Sequence, residues 1–178
     1  LHVPYNDFES IKKATNKNTV AIMLEPVQGE GGVNVPSPGY FKKIREWCDQ
    51  NDLLLILDEV QTGIGRLGHL FGYEAFDVEP DVITLAKGLG GGVPVGAFLV
   101  NERANSLTLG DHGSTFGGNP LATAAGKAVV QTVIDEGIHE KVKKSEKRLV
   151  SQLTEIQREN PSITEIRGMG LLQAVEFD

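Results

Sequence analysis

Short apolar runs alternate with longer amphipathic segments in the first part of the chain. Residues 20–25, 53–57, 81–86 and 95–100 form four such runs, each of a length typical of a buried strand. Residues 37–51 lie between the first two runs and predict a helix, because Phe41, Ile44, Trp47 and Cys48 follow helical spacing. A strand, a helix and a strand with near-continuous apolar runs predict a right-handed crossover in a parallel sheet.

The second part of the chain is dominated by helical patterns. Asn119 and Pro120 are typical of an N-cap and a first turn, and Gly137 is typical of a helix end. The side chains predicted to face the core from this helix are Leu121, Ala125, Ala128, Val129 and Val133. A charged helix is predicted from about 138 to 160, followed by two short strands between 163 and 177 that are joined by 167–170. The fold class is therefore α/β, with the approach to a second domain between 140 and 160.

Composition excludes several classes of protein. The chain has 178 residues, of which 23% are charged and 40% hydrophobic, as in globular domains and unlike disordered chains. No apolar run approaches the length of a membrane-spanning helix. The net charge of −7 makes nucleic acid and anionic membrane surfaces poor partners. The single cysteine, Cys48, fits a reducing compartment, so we expect cytoplasmic localisation. The four histidines are scattered, and no metal site is expected.

A glycine pattern between Gly63 and Gly68 matches G-x-G-x-x-G, the form of a dinucleotide-binding turn. Residues 58–62 separate it from the preceding strand, and two carboxylates there would repel a pyrophosphate. We therefore interpret this segment as a surface loop.

Two strand ends carry the residues that best suit catalysis. Asp58 closes an apolar strand and is either a structural cap or an acceptor for a metal or a protonated ring nitrogen. Lys87 follows the strand at 82–86 and precedes a glycine-rich turn, where we expect partial desolvation to favour a nucleophilic amine over an ordinary surface lysine. A lysine that forms a Schiff base and an aspartate that holds a pyridine nitrogen protonated are the two groups that pyridoxal phosphate requires.

Four segments, 25–32, 57–63, 85–92 and 112–120, together resemble the class III (ornithine-type) aminotransferases, which are fold-type I pyridoxal-phosphate enzymes. The resemblance covers essentially the whole chain. It implies that residues 1–140 form part of the large, cofactor-binding domain with a mostly parallel sheet. Residues 141–178 would supply the connecting helix and the start of the C-terminal α+β small domain. It also implies a homodimer with a shared active site that transfers an amino group from a small-molecule donor to 2-oxoglutarate.

The resemblance also implies a role for individual residues. Lys87 would bind the cofactor covalently and move the proton during transfer. The other residues implied in cofactor binding are Asp58 at the pyridine nitrogen, Val60 on a ring face, Gln61 at the ring hydroxyl, Glu59, and Thr115 at the phosphate of the neighbouring subunit's cofactor. Glu59 could instead contact only the residues that bind the cofactor, and not the cofactor itself. In substrate binding, Ser114 would lie near the substrate, and Glu30 would pair with an arginine that otherwise binds the substrate α-carboxylate.

The chain begins at Leu1 and ends at Asp178, directly after an apolar run at 171–177. We therefore expect it to be a piece of a longer polypeptide. The family's phosphate-binding turn, the aromatic residue that stacks on the cofactor and the substrate-binding arginines would lie outside it. A related aminomutase or decarboxylase on the same scaffold, and a folded but inactive fragment, remain alternatives.

Overall fold

The computed structural model describes the whole chain, residues 1–178. Four α-helices are present: α1 (Phe8–Ala14), α2 (Tyr40–Gln50), α3 (Pro120–Asp135) and α4 (Ile138–Glu159). Six strands are present: β1 (Ala21–Leu24), β2 (Leu54–Asp58), β3 (Val82–Leu85), β4 (Ala97–Val100), β5 (Ile163–Met169) and β6 (Leu172–Phe177). Two short 3₁₀ helices span Gly72–Phe76 and Lys87–Gly90. The predicted strands and the three predicted helices are confirmed, whereas α1 and both 3₁₀ helices are additional.

Strands β1 to β4 form one sheet in chain order. β1 pairs with β2 and β2 with β3 in parallel, so the predicted parallel pairing of these strands is confirmed. β4 turns back and pairs with β3 in the antiparallel direction, with Thr84 opposite Phe98. The carboxyl ends of β2 and β3 therefore lie side by side at one edge of the sheet, where α/β proteins bind ligands.

One hydrophobic core holds this sheet against α2. Phe41, Ile44 and Cys48 of α2 are buried, and so are Leu55 and Leu57 of β2. Burial of each such side chain contributes on the order of 2 kcal/mol. Burial also raises the pKa of the Cys48 thiol to about 11, which leaves this residue unreactive and structural.

Small residues of α3 pack against the 3₁₀ helix Lys87–Gly90. Ala122, Gly126 and Val133 are the buried residues of α3, whereas Leu121 and Ala128, both predicted to face the core, are exposed. A Cβ added at Gly126 would lie 3.6 Å from the carbonyl oxygen of Leu89, so only a small residue allows this close approach. The predictions for Leu121 and Ala128 are wrong because the buried face of α3 runs through Ala122, Gly126 and Val133, and the two exposed residues lie on a neighbouring face of the helix.

The hairpin of β5 and β6 forms a separate two-stranded sheet next to α4. The predicted connection at 167–170 is too long, because β5 continues to Met169 and the turn contains only Gly170 and Leu171. Gly170 has a positive φ of 59°, and a Cβ there would lie 2.5 Å from the Arg66 carbonyl oxygen. The turn thus fits tightly against the 63–68 loop.

The 63–68 loop is not the surface loop that its composition predicts. Gly65, Leu67 and Gly68 are buried. A Cβ at Gly68 would come within 2.9 Å of Lys143 on α4, and one at Gly65 within 3.5 Å of Val133 on α3. These glycines serve the packing of the sheet against the two C-terminal helices.

The buried carboxylate of Asp81 links β2, β3 and α2 at the amino-terminal end of β3, opposite to the end where Lys87 lies. Asp81 accepts hydrogen bonds from the Leu55 amide at 2.7 Å, Asn101 Nδ2 at 2.9 Å and the Arg45 guanidinium at 2.9 Å. Burial by itself raises the pKa of Asp81, but the three hydrogen bonds and the charge of Arg45 outweigh it and lower the pKa. The folded chain therefore favours the ionised carboxylate.

We expect Asp81→Asn to lower the free energy of unfolding by about 3 kcal/mol at neutral pH, because it leaves the buried side of Arg45 without its charge partner. Because the pKa is lowered on folding, this stabilisation is present above the unfolded pKa of about 3.9 and is lost as the pH falls through the folded pKa. Urea unfolding at several pH values measures it. Asp52→Asn is the control, since that side chain is 97% exposed. Equal stability of the two variants at neutral pH would contradict the prediction.

Candidate functional site

The carboxyl ends of β2 and β3 bring Asp58 and Lys87 to the same edge of the sheet. Asp58 is the last residue of β2, and its register partner on β3 is Thr84. Lys87 follows three residues after Thr84, directly beyond the end of β3. The sequence places both residues at strand ends, and the parallel pairing makes those ends neighbours.

One carboxylate oxygen of Asp58 accepts hydrogen bonds from the chain, and the other has no hydrogen-bond partner within it. Oδ1 accepts hydrogen bonds from the Val60 amide and the Thr84 hydroxyl, both at 3.0 Å. Oδ2 accepts none within the chain, and the side chain is partly buried. The carboxylate is thus oriented by its own strand end and by the neighbouring strand, and it keeps one acceptor available for a ligand.

Lys87 begins a 3₁₀ turn in an unusual backbone conformation. Its φ is 38°, in the left-handed region that costs a non-glycine residue about 1–2 kcal/mol. Leu89 and Gly90, which follow it, are buried and hold the turn in place. The Lys87 side chain itself is exposed. The expectation of partial desolvation is therefore wrong for this chain, because residues 1–178 place no cover over the ammonium group.

Glu59 points away from this edge into the protein. The residue is 1% exposed, and its carboxylate accepts hydrogen bonds from the Thr62 hydroxyl at 2.5 Å and the amides of Gly72 and Tyr73 at 2.9 and 2.8 Å. Burial raises the pKa of Glu59 despite these bonds. Both oxygens are occupied, so we correct the expectation of a cofactor contact: Glu59 braces the start of the 3₁₀ helix Gly72–Phe76.

Val60 and Gln61 continue from Asp58 and are partly buried. Gln61 packs against Gly29, where an added Cβ would lie 2.9 Å from Gln61 Cγ. The backbone amide of Gly29 donates to Glu25 Oε2 at 3.0 Å. The side chain of Gln61 therefore rests on the loop that carries Glu30.

The loop from Gln28 to Asn34 presents Glu30 at its tip. Gln28 and Asn34 pair through both backbone groups, and Asn34 Nδ2 also donates to Gln28 Oε1 at 2.8 Å. Val33 adopts a positive φ of 54°, which closes the turn. Glu30 is exposed and makes no side-chain hydrogen bond within the chain. A rigid base thus supports an acidic residue that is available to a ligand.

Ser114 and Thr115 lie in a separate exposed loop that precedes α3. Ser114 Oγ accepts a hydrogen bond from the Gly117 amide at 2.9 Å, and Thr115 makes no side-chain hydrogen bond. No hydrogen bond joins either residue to Asp58, Lys87 or Glu30. The structure therefore leaves Ser114 and Thr115 on an exposed surface, with no hydrogen bond to the site residues of β2, β3 and the Glu30 loop.

A cavity of about 650 Å³ runs along the open edge of β1. Asp58 is the only residue of the predicted site that lines it, and its other walls come from the N-terminal segment, α1 and β1. We assign the candidate site to the sheet edge instead, because the chemically suited side chains are there.

Thr84 is a site residue that sequence reasoning missed. Its hydroxyl fixes Asp58, yet in the sequence it is one polar residue in an apolar strand. The sequence signal that could have identified Thr84 is its position three residues before Lys87. Once the parallel pairing is known, this position places Thr84 at the carboxyl ends of β2 and β3, next to Asp58.

Comparison with known proteins places this chain in a family. The family model described as "Aminotransferase class-III" matches residues 2–178. An acetylornithine aminotransferase of Caldanaerobacter subterraneus subsp. tengcongensis is 52% identical over 99% of this chain and 45% of its own length. The chain therefore spans less than half the length of this curated relative.

Solved structures agree with that match. Plasmodium falciparum ornithine delta-aminotransferase superposes with a TM-score of 0.94 at 42% identity, over 100% of this chain and 46% of that one. Acetylornithine aminotransferase from Elizabethkingia anophelis superposes with a TM-score of 0.94 at 40% identity, over 100% and 46%. The predicted α/β fold of a fold-type I enzyme portion is confirmed.

Proposed function

Because the chain belongs to the class III aminotransferase family, we propose that its full-length protein transfers an amino group from N-acetylornithine to 2-oxoglutarate with pyridoxal phosphate as cofactor. The observation that carries this proposal is the placement of Asp58 and Lys87 at the neighbouring carboxyl ends of β2 and β3, with one Asp58 oxygen unpartnered. This reaction would serve arginine biosynthesis. None of the four α-helices could span a membrane. Because the single cysteine, Cys48, is a free thiol, as is typical of a reducing compartment, we propose a cytoplasmic enzyme.

The residues present fit pyridoxal phosphate. Asp58 would accept a hydrogen bond from the pyridine nitrogen and hold its proton, Val60 would pack on the ring, and Gln61 would contact the ring hydroxyl. The amine of Lys87 would bind the cofactor and move the proton of the substrate. When bound, the cofactor supplies an electron sink for the bond that breaks at the carbon bearing the amino group.

Glu30 supports the choice of substrate. An exposed carboxylate on a rigid loop can neutralise an arginine of the pocket while a terminal amine reacts, and release it when glutamate binds through its α-carboxylate. The curated relative is named for acetylornithine, which supports N-acetylornithine as the donor. Ornithine is the second candidate, because an ornithine aminotransferase superposes equally well. Succinylornithine and 4-aminobutyrate remain further alternatives.

We also propose a homodimer in which Thr115 binds the phosphate of the neighbouring subunit's cofactor. Support comes from four exposed apolar side chains near this residue in the sequence, namely Leu107, Leu109, Phe116 and Leu121. Several large apolar side chains exposed in one segment of a folded chain are typical of a surface that another segment or subunit covers.

We also propose the division into a large-domain part (1–140) and the start of a small domain (141–178). The separate sheet of β5 and β6 supports it.

Turnover by the full-length protein tests this function. We expect 2-oxoglutarate-dependent turnover with kcat/KM for N-acetylornithine above that for ornithine, succinylornithine and 4-aminobutyrate. A preference for ornithine would replace the proposed donor. Absence of turnover with all four donors, by protein loaded with pyridoxal phosphate, would overturn the proposed function and favour an inactive protein.

We expect Thr84→Val in the full-length enzyme to lower kcat about five- to tenfold, the equivalent of one hydrogen bond of about 1–1.4 kcal/mol to Asp58. Valine keeps the shape of threonine but removes the hydroxyl that orients the carboxylate. Thr84→Ser, which keeps the hydroxyl, is the matched control. A loss with serine as large as that with valine would assign the effect to packing.

A further inference from the structure

Arg167 joins the β5–β6 hairpin to the loop that carries Glu30. Its Nε donates a hydrogen bond to the carbonyl oxygen of Gly32 at 2.8 Å, across 135 residues of sequence. Gly32 lies two residues after Glu30, on the side of the loop that returns to Asn34. A contact at this point limits the movement of the loop tip.

Two carboxylates hold the guanidinium in that orientation. Glu165 and Glu176 are cross-strand partners in the hairpin, and both bind Arg167 Nη1, the former at 2.9 Å. The planar guanidinium can serve both carboxylates and the Gly32 carbonyl at once, which a lysine ammonium on a flexible stem cannot reproduce in the same geometry. With Nε and Nη1 engaged inside the chain, Arg167 is arranged to hold the loop rather than to bind a substrate anion.

The hairpin does not need this contact in order to dock. Its turn is already fixed where the Gly170 amide donates to Glu146 at 2.6 Å and the Leu171 amide donates to the Arg66 carbonyl at 3.0 Å. The bond from Arg167 is made at a different place, on the Gln28–Asn34 loop. Its effect therefore falls on that loop more than on the packing of the hairpin.

We infer that Arg167 is a positioning residue for substrate binding, which acts by holding the Gly32 carbonyl and thereby the placement of Glu30. This inference rests on the proposed function, in which Glu30 determines how the pocket distinguishes the amino donor from glutamate. Arg167 touches neither substrate nor cofactor in this role. It couples the first strands of the small domain to the substrate loop of the large domain.

The test compares Arg167→Gln with Arg148→Gln in the full-length enzyme. Arg148 is exposed on α4 and makes no ion pair, so its replacement controls for the loss of a surface charge. We expect Arg167→Gln to lower kcat/KM for the amino donor about ten- to hundredfold relative to that for glutamate, since displacement of a positioning group by about 1 Å has effects of this size. The control variant leaves the ratio unchanged.

A double-mutant cycle with Glu30→Gln identifies the route of the effect. If Arg167 acts through Glu30, Arg167→Gln has no further effect on the substrate ratio once Glu30 is replaced. Additive effects, or an equal loss for both substrates, would overturn the inference and leave Arg167 a structural residue.

Hydrogen–deuterium exchange provides a readout that is independent of activity. We expect faster exchange of the amides between residues 29 and 33 in Arg167→Gln than in Arg148→Gln, with no change at the Gly170 turn. Unchanged exchange in the loop overturns the inference whatever the activity. If the wild-type enzyme lacks turnover but the exchange increases, the proposed function and the substrate role fail while the loop contact stands.

Discussion

Lys87→Ala in the full-length enzyme is expected to lower kcat by about 10⁴-fold or more, because in the proposed function this one residue both binds the cofactor covalently and moves the substrate proton. Lys87 is the only lysine at the carboxyl edge of the sheet. The other lysines lie on the four α-helices, except Lys17, which lies in the turn before β1. No second amine is in position to replace it.

The backbone supports the same expectation. Lys87 occupies the left-handed region at the end of β3, and the buried residues Leu89 and Gly90 hold it there. Strained positions of this kind persist where the surrounding structure imposes them, often at functional sites. The Lys87 side chain is exposed at this position, where a cofactor could reach its amine.

Three measurements separate the roles of Lys87. Borohydride reduction of the loaded wild-type enzyme, followed by peptide mass spectrometry, should place the cofactor on Lys87, and no labelled peptide is expected from Lys87→Ala. Lys87→Arg keeps the positive charge without a nucleophilic amine, and we expect it to be as inactive as alanine. Lys127→Ala, an exposed lysine on α3, is the control. Covalent labelling of another lysine in the wild-type enzyme would refute the assignment.

The elements that carry the chemistry follow from local patterns. A short apolar run that ends in Asp58, and another that ends before Lys87, predict buried strands whose polar ends share one edge once they pair in parallel. The positions of Asp58 and Lys87, which depend only on where their strands end, can therefore be predicted from the sequence. The same reasoning places Glu30 on a glycine-rich loop, as the structure does.

Contacts between distant segments are not encoded in such patterns. Glu59 follows Asp58 and also carries a carboxylate, yet its side chain points into the protein because three hydrogen-bond donors lie there. The 63–68 loop has a surface composition but is covered by α3 and α4, which lie far later in the sequence. The bond from Arg167 to Gly32 spans 135 residues. Only the assembled fold determines these partners, and so the sequence alone predicts neither the contacts nor the roles that depend on them.

Asp58→Asn is expected to lower kcat by about 10²–10³-fold in the full-length enzyme, while Lys87 still binds the cofactor. Asparagine has nearly the same shape, and its Oδ1 can still accept the hydrogen bonds from Val60 and Thr84. What changes is the second atom, where an amide donor replaces a charged acceptor. A pyridine nitrogen facing that amide would lose its proton, and proton removal from the substrate would slow.

Single-turnover kinetics with a substrate deuterated at the reacting carbon locates the loss. We expect a larger kinetic isotope effect in Asp58→Asn than in the wild type, because proton transfer becomes more strongly rate-limiting. Asp77→Asn is the matched control, since Asp77 is an exposed aspartate in the left-handed region, which asparagine also tolerates. Turnover of Asp58→Asn within about twofold of the wild type, a difference of only about 0.4 kcal/mol, would show that Asp58 is a structural cap. The unpartnered Asp58 oxygen argues against that outcome, because a cap of the β2 end uses only Oδ1.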